Sequence, residues 1–112
     1  MANWSIEFYL DARGRAPVRD FIDGLSLSEQ AAVYHDLDLL VEFGVRLGMP
    51  HARAIDEMWE LRSGPARIFY IAHTGQRFIL LHGYYKKGQK APEREILIAR
   101  RRLADFMQRE SD

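Results

Sequence analysis

Cysteine is absent from the 112 residues. That excludes a disulfide scaffold, thiolate zinc sites, iron–sulfur clusters and thiol catalysis. Long apolar runs are absent as well. The longest, such as Phe78-Ile79-Leu80-Leu81, cannot span a bilayer, so no membrane partner is expected. The opening Met1-Ala2-Asn3-Trp4 has neither a basic start nor an apolar stretch. No signal peptide is read from it, and a cytoplasmic location is expected. No repeat, low-complexity segment or Pro/Gly/Ser-rich linker divides the chain, so residues 1–112 are expected to form a single domain. What is present is an ordinary globular mixture, 47% apolar and 29% charged. That argues against intrinsic disorder and supplies enough apolar surface for a core without metals or disulfides.

A net charge of zero conceals a strong asymmetry. Residues 1–61 carry 5 Lys/Arg and 11 Asp/Glu, whereas residues 62–102 carry 10 Lys/Arg and 2 Asp/Glu. The second stretch is a candidate surface for a polyanion, and the alternative is a set of solvated basic faces.

Trp4 to Leu10 reads as a strand, because Trp4, Ile6 and Phe8 alternate with Ser5, Glu7 and Tyr9. Pro17 suits the first turn of a short helix whose apolar face is Val18, Phe21, Ile22 and Leu25. Ser26-Leu27-Ser28-Glu29 forms a capping box. The helix after it runs to about Phe43, with Ala31, Tyr34, Leu37, Leu40 and Val41 inward and Gly44 as its stop. Val45 to Ala54 reads as a loop. Three strands follow, Ile55 to Arg62, Ala66 to His73 and Arg77 to Tyr85, with connections so short that they must be antiparallel hairpins. Lys86 to Ala91 is a basic loop. Pro92 opens a last helix with Ile96, Ala99, Leu103, Phe106 and Met107 as its buried stripe. The expected architecture is α+β, in the order β-α-α-β-β-β-α: a small twisted antiparallel sheet with helices on one face. The basic residues would then lie on the open face.

The segment from Trp59 to Arg101 is the informative one. It contains Trp59-Glu60-Leu61-Arg62, then Ala66-Arg67-Ile68-Phe69-Tyr70, then Leu80-Leu81-His82-Gly83-Tyr84-Tyr85-Lys86-Lys87 leading to Pro92, and Glu95-Ile96 before Ala99. These pieces together resemble the RelE/HigB superfamily of type II toxins, in particular its phage-derived HigB-like subgroup. The resemblance extends over nearly the whole chain and implies a RelE-like fold. It implies a ribosome-dependent mRNA endoribonuclease that inhibits translation. It also implies a cognate antitoxin, commonly a helix-turn-helix protein, and no cofactor. The ribosome and mRNA would be the other partners.

Such cleavage uses the 2′-OH as nucleophile on the adjacent phosphate. It requires a proton acceptor, a proton donor for the leaving 5′-oxygen, and cations around the phosphorane. The resemblance places Arg67, Lys86 and Lys87 as the cations, with Arg62 as the matching strand arginine. Guanidinium forks on neighbouring strands could clamp a phosphate. Besides the lysines, Tyr70, His82, Tyr84 and Tyr85 are the proton-transfer candidates of this region. Lys90, Tyr85, Arg77 and Arg101 are candidates for RNA contact, Tyr85 by stacking on a base.

Each residue also has a plainer reading. Arg62 would pair with Glu60 or Glu95, Lys86 and Lys87 would be a solubilising loop, and one of Tyr84 and Tyr85 would pack in the core. His82 would be a satisfied, half-buried histidine. The four histidines lack metal-ligand spacing, so no metal is expected. Two further functions stay open on the same scaffold: a gyrase poison of the ParE type, and a degenerate member that only binds antitoxin and controls its operon.

Overall fold

In a computed structural model, residues 4–88 and 92–111 are described. The elements are β1 (Ser5–Phe8), α1 (Pro17–Asp23), α2 (Leu27–Phe43), a 3-10 turn (Gly44–Arg46), β2 (Ala52–Ile55), β3 (Met58–Ser63), β4 (Ala66–His73), β5 (Arg77–Tyr85) and α3 (Glu93–Glu110). The class is α+β, as expected, but the sheet has five strands in the order β1-β5-β4-β3-β2. It is mixed rather than antiparallel, because β1 pairs parallel with β5. The residues read as a loop before Ile55 contain the edge strand β2, which forms a hairpin with β3 through Asp56-Glu57.

Helices cover both faces, not one. On the first face α1 and α2 pack Val18, Ile22, Val33, Leu37 and Leu40 against Leu61, Ile68, Tyr70, Phe78 and Leu80. On the second face α3 packs Ala99 and Phe106 against Met58, Phe69, Ile71, Ile79 and Leu81. Period-two alternation along β4 separates the two sets: Ile68 and Tyr70 lie on the first face, Phe69 and Ile71 on the second.

The local signals explain the helices. Pro17 occupies the first turn of α1. The Ser26 side chain accepts from Glu29 N while Glu29 accepts from Ser26 N, the reciprocal capping box. The inward stripe of α2 is Val33, Leu37 and Leu40, whereas Ala31 and Tyr34 face solvent. At Gly44 the backbone has φ 62°, and an added Cβ would stand 2.7 Å from the Trp4 indole nitrogen. Glycine there meets both a left-handed turn and a close approach. On α3, Ile96 and Leu103 are half-buried and Met107 is exposed, so the buried stripe is narrower than expected.

Candidate functional site

An irregularity in β5 decides which side chains meet. Phe69 pairs with His82 and Tyr70 with Leu80, so Leu81 is an extra residue in the β4–β5 ladder. The bulge shifts the alternation by one. His82 and Tyr84 thereby turn to the α3 face, and Gly83 turns to the α1 side, where an added Cβ would meet Phe21 at 2.4 Å.

Two cross-strand rows result on the α3 face, at the end of the sheet nearest the start of α3. One row is Arg62–Arg67–Tyr84 across β3, β4 and β5. The next is Arg53–Glu60–Phe69–His82 across β2 to β5. Strands about 4.8 Å apart and rows about 7 Å apart put these groups within one nucleotide's reach of each other. Arg62 and Arg67 directly oppose one another, an arrangement that disfavours the free sheet and suits a bound anion.

Arg67 is buried and firmly held. Its guanidinium donates to the carbonyls of Gly64 and, at 3.0 Å, Ala66. Burial and the facing Arg62 lower its pKa from the ordinary arginine value, while Glu60 and Tyr84 act the other way. Glu60 is completely buried, and its Oε2 accepts from the Tyr84 hydroxyl at 2.7 Å. Its Oε1 lies 3.6 Å from Arg53 Nε and 4.0 Å from Arg67 Nε, and these three atoms have no hydrogen-bond partner among the described residues. Burial, reinforced by the hydrogen bond to Glu60, pushes the Tyr84 hydroxyl pKa far up, so Tyr84 is a protonated phenol. Lys86 joins the group through its backbone: its N–H donates to Pro65 O at 2.8 Å, in the turn whose Gly64 carbonyl orients Arg67. Lys87 follows on the exposed surface.

His82 sits beside this cluster in a bracing role. Arg102 donates to His82 Nδ1 at 2.9 Å, and arginine is always a donor, so the imidazole proton lies on Nε2. That nitrogen faces Glu95 Oε1 at 2.6 Å. Burial is the main cause that lowers the His82 pKa, partly opposed by Glu95. The neutral ring therefore ties β5 to two turns of α3; both ring nitrogens are satisfied, and the side chain is buried rather than half-buried.

The remaining candidates lie elsewhere. Tyr70 is on the opposite face, buried and edge-on to Phe78, so it does not join the arginines. Tyr85 also turns that way and donates to Glu29 of α2 at 2.7 Å. Arg77 opens β5 at the far end of the sheet, ion-paired with Glu7 and Glu110. Arg101 is exposed on α3. Lys90 lies outside the described residues. Arg62 has no ion pair with Glu60 or Glu95 among the described residues; its partner is the Met49 sulfur at 3.9 Å. Of the neighbouring arginines, Arg100 pairs with Asp56 and Glu57.

Two members of the cluster, Glu60 and Arg53, are not among the candidates the sequence offers. Glu60 was visible only as an ion-pair partner, yet a glutamate two residues before a strand arginine must share its face. Arg53 is hidden in the sequence because the residues of β2 carry no strand signal there. Among the described residues no group of three or more His, Asp or Glu side chains could hold a metal ion. None of the helices is long and apolar enough to cross a membrane.

The geometry defines a small α+β protein with a cationic, partly buried cluster at one end of a sheet. The family model described as phage derived protein Gp49-like matches residues 20–104. The chain belongs to this family, a family of RelE/HigB-like toxins. Comparison with curated proteins finds no match.

Proposed function

We propose that this protein is the toxin of a toxin–antitoxin pair and cleaves mRNA on the ribosome. Family membership supports the toxin and its antitoxin partner. The observation that carries the cleavage reading is the facing pair Arg62 and Arg67 beside the Tyr84–Glu60 hydrogen bond. Two guanidinium groups on adjacent strands suit a phosphate and the extra charge of its phosphorane. Lys86 and Lys87 add charge from the end of β5. Tyr84 already directs its proton at Glu60. A 2′-OH proton can therefore pass to the Tyr84 oxygen as the phenolic proton moves to Glu60, while a lysine ammonium protonates the leaving 5′-oxygen. His82 holds β5 and α3 in register around these groups.

Induced expression of the wild type and Arg67→Ala, with primer extension on a reporter mRNA, tests this. Cuts within the translated frame that vanish in the variant are expected. Growth arrest without cuts would move the assignment to a gyrase poison. Neither arrest nor cuts would indicate a member confined to antitoxin binding.

A further inference from the structure

Met49 is a large apolar side chain that is 64% exposed, in a loop held on both sides of it. Gly44 is packed under Trp4, and Leu47 is buried in the core. His51 N and Ala52 N both donate to Gly48 O, at 2.9 and 3.1 Å. His51 O then accepts from Arg62 N at 2.7 Å. The Arg62 side chain in turn donates to the Met49 sulfur at 3.9 Å. The anchored backbone on either side and the Arg62 side chain thus place Met49 beside the one cluster arginine that has no carboxylate partner among the described residues.

We infer that Met49 and the Arg62 guanidinium together seat a nucleobase of single-stranded RNA whose phosphate lies between Arg62 and Arg67. The inference rests on the RNA-cleaving reading and adds the contact that would set base preference. A guanidinium plane and a polarisable thioether are both good surfaces for a flat aromatic ring. Exposing a methionine costs hydrophobic free energy that a stacked base would recover. The seat offers a sulfur and a flat cation, with no fork aimed at a base edge. It therefore discriminates by stacking area and favours purines over pyrimidines.

The probe is a fluorescein-labelled 2′-O-methyl RNA hexamer, which cannot be cleaved because its nucleophile is blocked. Binding is read by anisotropy over a range of salt concentrations. Met49→Ala is expected to weaken purine-hexamer binding roughly five- to tenfold. It leaves the salt slope unchanged, leaves an abasic backbone of equal length bound as before, and Met49→Leu retains most of the affinity. Arg62→Ala instead lowers the salt slope by about 0.7, the value for one single-strand phosphate. If Arg62→Ala behaves so while Met49→Ala binds like the wild type, the seat is refuted and the phosphate site stands. If the wild type does not bind the hexamer, or neither variant differs from it, the seat is refuted, while the RNA-cleaving reading stands or falls on the primer-extension result. Circular dichroism of both variants excludes misfolding as the cause.

Discussion

Replacing Glu60 with glutamine separates its structural role from its chemical one. The substitution keeps volume and shape, so no cavity forms. It removes the negative charge buried beside Arg53 and Arg67. At 4.0 Å, the Glu60–Arg67 attraction is about 4 kcal/mol at an effective dielectric constant near 20. Desolvation offsets part of that, yet removing one partner of a buried pair typically costs roughly 3–5 kcal/mol, because the other charge is left unpaired. Arg53 is partly exposed and adds little. A loss near 3 kcal/mol would lower the Tm by roughly 10 °C for a chain of this size. The same change strengthens the field at the anion site, so the non-cleavable hexamer should bind roughly three- to tenfold tighter. Cleavage should fall despite the tighter binding. Calorimetry, anisotropy and primer extension read these three effects separately. Glu60→Gln with an unchanged Tm and unchanged affinity would refute the charge-balancing argument, whatever its cleavage.

Three other perturbations have definite expectations. Gly83→Ala places a methyl 2.4 Å from a Phe21 ring carbon and should cost about 1–3 kcal/mol; Phe21→Leu should recover much of it in a double-mutant cycle by chemical denaturation. His82 has a depressed pKa, so the unfolded chain takes up its proton first as acid is added. Its contribution is complete above pH 6.5 and is lost as the pH falls below it, and wild-type melts should fall more steeply in that window than those of His82→Gln. Nitrogen NMR of His82 should show the Nε2–H tautomer at neutral pH; a protonated Nδ1 would contradict its bracing by Arg102. Ser26→Ala removes one half of the capping box and should cost about 0.5–2 kcal/mol in thermal melts, with cleavage unaffected.

Some of this was legible in the sequence because local rules decide it. Pro17, the Ser26–Glu29 box and the alternation of Trp4, Ile6 and Phe8 each point to the observed element. The class α+β follows from them. The errors have physical origins of their own. β2 is four residues long and its hairpin turn, Asp56-Glu57, lacks glycine, so Asp56 takes a positive φ without announcing it. The parallel partner of β1 is set by a long-range pairing with no local signature. On α2 the inward stripe is decided by the sheet beneath it, and Val33 displaces Ala31 and Tyr34. The site was half legible. Arg62 and Arg67 share a face as strand spacing allows, and Lys86 joins them through the turn at Pro65. Tyr70 falls on the other face by parity. The Leu81 bulge cannot be read from residue types, and it alone brings His82 and Tyr84 to the α3 face.

In the proposed reaction the Arg62–Arg67 pair organises 2′-OH attack on ribosome-bound mRNA. The most direct measurement adds purified wild type, Arg62→Ala and Arg67→Ala to a reconstituted translation reaction and maps the ends of the message. In-frame cuts by the wild type alone are expected, leaving a 5′-hydroxyl downstream and a 2′,3′-cyclic phosphate upstream. Cuts of equal rate in both variants, or intact message in a reaction the wild type has stopped, would contradict it.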